Sequence, residues 1–402
     1  MPQPDQTDFL IIGGGIIGLS TALQLRSEYP DCSITVLEKE PRVGLHASGR
    51  NSGVLHAGFY YTADSLKARL TREGNRELGE YCRANHIPVN HCGKLVVTRN
   101  EGEIKGLQEL YRRGQINGVP LEMVSDKEAR EIEPRSRTFE QAIFSPITAT
   151  VDPSEVMAAL YRDAEEDGIN IVTNTRFESC NGTRVKTGTG NIESGYIINT
   201  AGLHADKIAR QFGFSNHYSI LPIKGLYLYG SEKAGILGCN IYPVPDVKNP
   251  FLGVHFTVTV DQHIKIGPTA TPAFWREHYK GLDNFNMGEF VKITAMESAL
   301  FIRNSFNFRK LAVEELKKSF RKNLVKLAAD MVSGINNESF DHWGRPGIRA
   351  QLLDTRDHSL VMDFCYEGDE RSFHLLNAVS PAFTCAFPLS RLITAEIGRL
   401  AG

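Results

Sequence analysis

Three glycines near the start of the chain have the spacing of a phosphate-binding turn. The stretch GGGIIG at residues 13–18 joins a short apolar run at 9–12 to a segment with helical periodicity. In such a GxGxxG turn, Gly13 permits the tight turn, Gly15 lets the backbone approach a pyrophosphate, and Gly18 lets the helix lie close to the sheet. The N-terminus of the helix then offers unpaired N–H groups to the phosphates.

A carboxylate stands where the ribose of a bound nucleotide would lie. A second apolar run at residues 33–37 follows the helix and ends at Glu38, twenty residues after Gly18. An acid at this point can accept hydrogen bonds from ribose hydroxyls. Strand, glycine turn, helix, strand and terminal acid therefore occur in register, and together they predict a dinucleotide site.

The loop after Glu38 bears on the choice between bound NAD and bound FAD. Residues 46–58, HASGRNSGVLHAG, are rich in small side chains and amide donors and include two histidines. A flavin needs backbone N–H groups and small side chains beside its pyrophosphate and ring, whereas a nicotinamide fold has no use for such a loop. The only other glycine-rich stretch, GTG at 188–190, has no helical pattern behind it and is predicted to be a hairpin tip. FAD is therefore the expected cofactor, and NAD(P)H is not expected as the electron source.

Motifs spread over nearly the whole chain resemble those of one flavoenzyme family. Besides GGGIIG, these motifs are HASGRNSGVLHAGFYY at 46–61, INTAGLHAD at 198–206, LGVHFT at 252–257, PGIRAQLLD at 346–354 and NAVSPAFT at 377–384. They are similar to the L-2-hydroxyglutarate dehydrogenase/oxidase group of the D-amino-acid-oxidase-like FAD-dependent oxidoreductases. A more distant similarity, through the NSGVxH-type segment, is to the FAD-dependent glycerol-3-phosphate dehydrogenases and oxidases.

The resemblance implies a reaction and leaves alternatives beside it. It implies that an FAD flavoprotein oxidises L-2-hydroxyglutarate to 2-oxoglutarate by hydride transfer to flavin N5, with the electrons passing to a quinone or to oxygen. One alternative is a glycerol-3-phosphate or amino-acid oxidase or dehydrogenase of the same superfamily. Another is a flavin-binding protein without oxidase chemistry, such as a component of an RNA-modifying complex, but the absence of a basic tail counts against it.

Oxidation of a hydroxy acid needs a base within hydrogen-bond reach of the hydroxyl, and histidines are the candidates. His56 is the first choice, because an imidazole titrates near neutrality and the resemblance places a catalytic histidine here in the glycerol-phosphate relatives. His255 is the second candidate, since it shares the polar face of an alternating strand with Thr257. His46 is expected to be structural or adjacent to the flavin.

The substrate carboxylates need cations that hold the C–H bond toward the flavin. Arg349 can grip a carboxylate bidentately, which a lysine cannot, and Lys224 is a candidate second cation. Ser52 is also placed among the substrate-binding residues. Ser380 is expected to cap the last helix, whose N-terminus would face the flavin pyrimidine oxygen, although Pro388 is expected to break that helix.

The residues expected to contact the FAD come from the glycine turn, the end of the second strand, the loop at 46–58 and three later positions. They are Gly13, Gly15, Ile17, Gly18, Glu38, Lys39, Ala47, Ser48, Ser52, Gly53, Val54, Phe177, Gly202 and Gly347.

Two interleaved domains are required to position these residues. The predicted class is α/β (α+β overall), with a Rossmann-like FAD-binding domain at 1–85, 146–215 and 346–402. An antiparallel β-sheet and helix substrate domain is predicted at 86–145 and 216–345.

Several elements of these domains can be read from periodicity and turn residues. The expected elements are a helix at 153–167, a strand at 169–177, a strand at 196–199 followed by a turn and a helix from about residue 204, strands across 221–268, helices across 287–334, and a strand at 373–379 before the last helix.

Composition bears on the binding partners and the cellular compartment expected for the protein. The chain has 45 basic and 47 acidic residues, and this balance gives no indication of nucleic-acid binding. Its seven cysteines are scattered without a CxxC pair, which favours reduced thiols and argues against disulfides and against zinc or iron–sulfur ligation. No metal site is expected. The glycine turn leaves no room for a signal peptide, and no apolar run reaches the roughly 18 residues of a membrane span. The expected location is cytoplasmic.

One basic segment leaves open an association with the inner membrane. Residues 303–326 carry eight basic and two acidic side chains. An apolar stripe at helical spacing runs through and beyond them, formed by Leu316, Phe320, Leu324, Leu327 and Met331. The segment is either a helix of the substrate domain with a solvated basic face or a peripheral membrane-surface helix that delivers electrons to a quinone.

Overall fold

The structure is a computed structural model that describes residues 2–245 and 253–402. Leu252, the first residue of the LGVHFT motif, lies outside the described residues.

The strands are β1 (Gln6–Ile12), β2 (Ile34–Leu37), β3 (Val54–Leu55), β4 (Val89–Asn90), β5 (Lys94–Val97), β6 (Glu122–Ser125), β7 (Gln141–Ser145), β8 (Ala149–Val151), β9 (Asn170–Val172), β10 (Phe177–Asn181), β11 (Arg184–Thr187), β12 (Gly190–Asn199), β13 (Tyr218–Gly225), β14 (Leu228–Gly230), β15 (Asn240–Pro243), β16 (His255–Val258), β17 (Ile264–Gly267), β18 (Thr271–Pro272), β19 (Phe340–Trp343), β20 (Gly347–Asp354), β21 (Ser359–Leu360), β22 (Cys365–Gly368) and β23 (Ser372–Asn377). The α-helices are α1 (Ile16–Glu28), α2 (Leu66–Ala84), α3 (Ile104–Ile116), α4 (Asp126–Ile132), α5 (Pro153–Glu166), α6 (Ala205–Gln211), α7 (Met287–Arg303), α8 (Phe308–Lys318), α9 (Arg321–Ala329) and α10 (Ala386–Ala401).

The chain forms two compact units, each built from separate segments. Unit 1 comprises Met1–Asn51, Pro153–Leu221 and Arg349–Gly402, and unit 2 comprises Ser52–Asp152 and Pro222–Ile348. The chain therefore passes from one unit to the other more than once, as the interleaved prediction requires.

A mixed sheet of eight strands forms the centre of unit 1. Strand β1 lies between β2 and β12 and is parallel to both, and β9 continues the parallel order beyond β2. The first half of β12 pairs with β11 and the second half with β23. The GTG stretch at 188–190 joins β11 to β12, so the predicted hairpin tip is confirmed. Helix α1 connects β1 to β2 and packs against α5 and α10, which is the Rossmann-like arrangement that the glycine turn predicts.

Unit 2 contains a second sheet of eight strands, in the order β19-β14-β17-β16-β15-β5-β7-β6. Neighbouring strands are antiparallel except for β15 and β5, which are parallel. The short strands β3, β8 and β4 form a further antiparallel sheet. Helices α7, α8 and α9 follow the strands, so the predicted helical stretch at 287–334 is confirmed.

Side-chain alternation gives the large sheet of unit 2 one apolar and one polar face. Successive residues of a strand point to opposite faces, and directly paired residues share a face. Ile241 pairs with Phe256, and Val258 pairs with Ile264; all four lie in a buried core that Leu324 of α9 helps to fill. The opposite face carries Lys94, Tyr242, His255, Thr257 and Lys265.

The boundaries of the two units differ from the predicted domain boundaries. Residues 52–85 and 146–152 are predicted to belong with the nucleotide-binding segments, but they lie in unit 2. The reason is local pairing: β3 pairs with β8, and the Asn75 side chain of α2 donates to the carbonyl oxygens of Leu55 at 3.1 Å and Ile147 at 3.2 Å.

The last helix begins later than the sequence suggests. Helix α10 starts at Ala386, and its N-cap is Cys385, which makes no side-chain capping bond. The expectation that Ser380 caps this helix is therefore wrong, because residues 380–385 form turns before the helix starts. The expectation that Pro388 breaks it is also wrong, since this proline is the third helical residue, in the first turn, where no intrahelical N–H bond is lost.

Two other predicted elements are interrupted in the structure. The strand expected at 169–177 is divided into β9 and β10, because Asn174 between them has a φ of 53°. The apolar stripe that begins at Leu316 does not lie on one helix, since α8 ends at Lys318 and α9 begins at Arg321. As a result Leu324 is fully buried, whereas Leu316 is 55% exposed.

Substitution of these two leucines tests the interruption. Leu324→Ala removes a side chain from the core of unit 2, and we expect it to cost about 2–5 kcal/mol of stability, as buried leucines do. Leu316→Ala is the matched control and should change stability by less than about 0.5 kcal/mol. Thermal unfolding of the flavin-loaded protein measures both effects. Equal losses in the two variants would mean that the stripe is packed along its whole length.

Candidate functional site

The glycine turn of unit 1 is shaped by two close backbone approaches. Gly13 has a φ of +113°, and a Cβ at this position would lie 2.8 Å from the carbonyl oxygen of Thr200. Its N–H donates to the carbonyl oxygen of Leu37 at 2.8 Å, which ties the turn to the end of β2. At Gly18 a Cβ would lie 2.0 Å from the carbonyl oxygen of Gly13, because α1 passes directly over the turn. A side chain at either glycine would force the strand, turn and helix apart.

The N-terminus of α1 presents bare backbone. Its N-cap is Gly15, which makes no side-chain capping bond, and the N–H of Ile16 donates to Ser48 Oγ at 2.9 Å. Apart from chain neighbours, Ser48 Oγ is the one atom of the described residues that a Cβ on Gly15 would meet within 4 Å, at 3.1 Å. A helix N-terminus suits a pyrophosphate, and the space that a Cβ on Gly15 would enter is lined by a single small polar side chain among the described residues, so these residues fit the nucleotide end of FAD.

Glu38 directly follows the last residue of β2 and is already held by backbone donors. Its Oε2 accepts from the N–H of Gly14 at 2.9 Å, and its Oε1 accepts from the N–H of Glu40 at 2.9 Å. Burial raises the pKa of this carboxyl, and the two backbone hydrogen bonds oppose that rise. Each carboxylate oxygen keeps a second lone pair, so Glu38 can also accept a bond from a ribose hydroxyl.

His46 belongs to a small ionic cluster in unit 1. Its Nε2 lies 2.9 Å from Lys39 Nζ and 3.0 Å from Glu40 Oε1, and Lys39 also pairs with Glu40. Burial by itself would raise the pKa of Glu40, but the hydrogen bonds from Lys39 and His46 outweigh it and lower the pKa. These contacts agree with a structural histidine.

The remaining candidate cofactor-binding and substrate-binding residues of unit 1 differ in secondary structure and in burial. Ala47 begins a short 3₁₀ turn with Ser48, and Gly202 begins another with a φ of +52°. Phe177 packs its ring against Phe212 at a centroid distance of 6.3 Å, in an apolar cluster. Arg349 lies half-buried on β20, and Ser380 is exposed.

Strand β3 of unit 2 lies within the stretch 46–58, and His56 directly follows it. Val54 is buried within this strand, and its N–H donates to Ser52 Oγ at 3.4 Å. Gly53 precedes it with a φ of +77°. His56 follows the strand, and burial lowers its pKa well below the ordinary value, with further contributions from the charges of Lys94 and His255. The His56 imidazole is therefore neutral near pH 7.

His255 is held in one orientation on β16. Its Nδ1 lies 2.8 Å from the carbonyl oxygen of Gly253, and because a carbonyl only accepts, Nδ1 carries the proton. The ring stacks on Tyr242 with a centroid distance of 3.8 Å and an interplanar angle of 14°. Burial lowers its pKa to about 3, with help from Lys94 and Lys265. His255 is thus a second neutral imidazole, with its lone pair on Nε2.

Two buried lysines on the same sheet face were not among the sequence-based candidates. Lys265 donates from Nζ to the carbonyl oxygen of Ser52 at 3.1 Å, and Nζ lies 5.1 Å from the ring centroid of Tyr227. Burial lowers the pKa of Lys265 to about 8 and that of Lys94 to about 7. One signal was available: each lysine adjoins apolar strand residues, as in Ile264-Lys265-Ile266, where a charged residue within a buried strand is unusual.

Lys224 and Gly347 lie on other strands of unit 2. Lys224 is half-buried on β13, which pairs with β18 and is not part of the large sheet. Burial lowers the pKa of its amine. Gly347 is the first residue of β20.

Comparison with known proteins places the chain in a family. It matches the family model described as FAD dependent oxidoreductase (DAO) over residues 8–396. It is 38% identical to the mitochondrial L-2-hydroxyglutarate dehydrogenase of Homo sapiens, over 97% of this chain and 88% of that protein. It is 36% identical to the L-2-hydroxyglutarate dehydrogenase of Escherichia coli strain K12, over 98% of this chain and 93% of that protein.

Solved structures support the fold. The L-alpha-glycerophosphate oxidase of Mycoplasma pneumoniae with FAD bound gives a TM-score of 0.77 at 23% identity, covering 99% of this chain and 95% of that chain. The glycine oxidase of Geobacillus kaustophilus gives a TM-score of 0.73 at 19% identity, covering 98% and 95%. The predicted fold class is thereby confirmed.

The chain belongs to the FAD dependent oxidoreductases and, among them, to the family of the L-2-hydroxyglutarate dehydrogenases. The family resemblance and the FAD cofactor predicted from the sequence are therefore confirmed.

The open space at Gly15 generates a prediction about the cofactor. We expect Gly15→Val to lose most of its FAD, because the branched side chain occupies the space over the helix N-terminus. Flavin absorbance of the purified protein, relative to protein absorbance, measures the content. Gly79→Ala in α2 is a suitable control, since a Cβ there meets no described atom within 4 Å. A yellow Gly15→Val protein with full flavin content would refute the placement of the pyrophosphate.

Proposed function

We propose that this protein uses FAD to oxidise L-2-hydroxyglutarate to 2-oxoglutarate. The observation that carries the proposal is the polar sheet face of unit 2, where the neutral imidazole of His255 shares a buried layer with Lys94 and Lys265. Such a layer offers a base for a hydroxyl and cations for carboxylates. The names of the relatives supply the particular hydroxy acid. In this proposal unit 1 binds the flavin and unit 2 binds the substrate.

His56 is the residue proposed to take the hydroxyl proton. Its lowered pKa favours the unprotonated imidazole near pH 7, which is the form that can accept a proton. When bound, FAD supplies the hydride acceptor at N5. Removal of the hydroxyl proton favours departure of the carbinol hydrogen as hydride, because the electron pair left on oxygen forms the carbonyl. His255, fixed by its bond to Gly253, is the second candidate for this role.

Carboxylate binding is proposed for the cations and hydroxyls predicted from the sequence. Arg349 is the proposed bidentate ligand of the α-carboxylate. Lys224, Ser52 and Ser380 are proposed as further polar contacts to the substrate. Lys265 joins this set, because its donation to the Ser52 carbonyl oxygen uses one of its three N–H bonds.

Two substitutions separate base catalysis from carboxylate binding. His56→Ala should lower kcat by about 10²–10⁴-fold, the usual contribution of a positioned base, with a small change in KM. Arg349→Lys should mainly raise KM, because an ammonium cannot reproduce the guanidinium fork. Anaerobic flavin reduction in a stopped-flow instrument measures the step directly.

Flavin content should stay near normal in both variants, which distinguishes lost catalysis from lost cofactor. If His56→Ala reduces its flavin as fast as the wild type, His56 is not the base and His255 becomes the candidate. A substrate panel of L-2-hydroxyglutarate, lactate, glycerol 3-phosphate and amino acids tests the reaction itself. Equal bleaching of the flavin by lactate and L-2-hydroxyglutarate would contradict the proposed substrate.

We further propose that unit 2 contacts an anionic membrane surface and that the electrons pass to a quinone there. The described residues contain no helix long and apolar enough to cross a membrane. Helices α7 and α8 and the start of α9 instead expose large apolar side chains: Met287, Val291, Phe301, Ile302, Val313, Leu316 and Phe320. Exposed cations accompany them: Arg303, Arg309, Lys310, Lys317, Arg321, Lys322 and Lys326. Apolar groups beside cations suit the interface of an anionic bilayer.

Vesicle binding tests this surface. The protein should co-sediment with vesicles containing anionic phosphatidylglycerol at low salt and dissociate as salt rises, because screening weakens the attraction. The double variant Ile302→Ser with Phe320→Ser should bind at least tenfold more weakly. Ile116→Ser on α3, also an exposed apolar residue, should bind like the wild type. Failure of the wild type to bind at low salt would remove the proposal and leave oxygen or a soluble acceptor as the oxidant.

A further inference from the structure

Lys94 is a buried ammonium without a partner. Its side chain is 0% exposed, and among the described residues Nζ has no hydrogen-bond acceptor or carboxylate within reach. Aromatic rings surround it, with centroids 5.5 Å from Nζ at Phe59, 5.2 Å at Tyr60 and 4.3 Å at Tyr242. Cation–π contacts recover part of the lost hydration, but an unpaired buried charge remains costly.

A second unpartnered polar group lies beside it. The Tyr60 hydroxyl is buried and, among the described residues, has no hydrogen-bond partner, while its ring is one of those around Lys94 Nζ. Buried polar atoms are nearly always paired in native proteins. Two unpartnered donors on neighbouring side chains, with no carboxylate of the described residues to accept from them, indicate that the missing partner is an anion with acceptor oxygens.

The position of Lys94 links it to the histidines. Tyr242 stacks on His255 at 3.8 Å and lies 4.3 Å from Lys94 Nζ, so Nζ and the His255 ring are no further apart than the sum of these distances. The strand register agrees, because β15 lies between β5 and β16 and all three side chains share the polar face. The charge of Lys94 also acts on His56. Lys94 therefore lies close to the proposed bases but separated from His255 by one aromatic ring.

We propose that the Lys94 ammonium and the Tyr60 hydroxyl bind the second carboxylate of the substrate and so select dicarboxylic over monocarboxylic hydroxy acids. In L-2-hydroxyglutarate two methylenes separate the carbinol carbon from this carboxylate, which requires a cation offset from the base. Lys94 has that offset, and the flat ring of Tyr242 lies between the two positions. The inference rests on the proposed function and adds a specificity-determining residue to it.

The decisive comparison uses two substrates that differ only at the distal end. Lys94→Met keeps an unbranched side chain of nearly the same length and removes the charge. We expect kcat/KM for L-2-hydroxyglutarate to fall about 10²–10³-fold, as for loss of a charged partner, while kcat/KM for L-2-hydroxypentanoate changes less than about threefold. Tyr60→Phe should cause a smaller loss in the same direction. Lys67→Met removes another buried lysine of unit 2 and should not alter the ratio of the two substrates.

We do not expect Lys94→Met to lose activity through unfolding. Replacing an unpaired buried charge by an apolar side chain of similar volume is often neutral or stabilising, so Lys94→Met should unfold at the same temperature as the wild type or higher. Equal loss of activity on both substrates would overturn the proposal, because it would show that Lys94 acts on a step that both substrates share or on the fold. Unchanged activity on both would overturn it equally.

Binding of glutarate, which has no hydroxyl to oxidise, gives a readout independent of turnover. Titration followed by the flavin absorbance difference should show at least tenfold weaker glutarate binding in Lys94→Met, with butyrate binding unchanged. If the wild type does not oxidise L-2-hydroxyglutarate, the proposed function fails, yet this titration still reports on Lys94. Equal glutarate affinity in both proteins would refute the anion site itself.

The pH dependence of glutarate binding has a definite sign. Burial lowers the pKa of Lys94 to about 7, so the free protein carries the charge below that pH and loses it above. Wild-type affinity should therefore fall as pH rises from 6 to 9, by up to about tenfold per unit above the pKa. Lys94→Met should lack this component. Burial lowers the pKa of the neighbouring His56 and His255 and raises that of Cys92 and Tyr60, so each of these groups favours its neutral form. Lys265, whose pKa is lowered to about 8, is present in both proteins and is accounted for by their comparison.

Discussion

The alternation of side chains along the large sheet of unit 2 is the constraint on which the site depends. Each strand must give every second residue to the apolar core, where Ile241, Phe256 and Leu324 are packed. The residues between them are then forced onto the opposite face. That face receives Lys94, His255 and Lys265, which are all buried although their chemistry favours water. A shift of any strand by one residue would exchange the two sets, so the core that stabilises unit 2 also fixes the register of its polar groups.

Unit 1 depends on a different constraint, the closeness of three backbone segments. The turn after β1, the first turn of α1 and the Thr200 carbonyl approach each other so closely that Gly13 and Gly18 cannot carry side chains. The same closeness leaves the helix N-terminus uncovered at Gly15, with Ser48 as the nearest side chain. The phosphate-binding surface is thus a consequence of the way the strands and helix pack.

Local patterns allowed the glycine turn, Glu38 and the polar face of His255 to be predicted, since each depends on a few consecutive residues. Lys94 and Lys265 were not predicted as site residues, because their importance arises from pairing between distant segments. Lys94 pairs with Asn240, and Thr257 pairs with Lys265. Only these registers show that the two lysines lie on the same sheet face as His255. The late start of α10 was missed for a related reason: a proline that looks internal to a helical pattern is acceptable in a first turn. Exposure of Leu316 could not be inferred either, because an even apolar stripe does not reveal where one helix ends and another begins.

The charge of Lys94 affects the proton affinity of the two histidines proposed as bases. Burial is the main cause of the lowered pKa of both His56 and His255, and the charge of Lys94 lowers both further, so the ammonium helps to keep the two imidazoles unprotonated. An anion bound at that ammonium would cancel its field, and the proton affinity of the imidazoles would rise at the moment the substrate arrives. A free enzyme with weak, unprotonated bases would then become a complex whose bases are stronger.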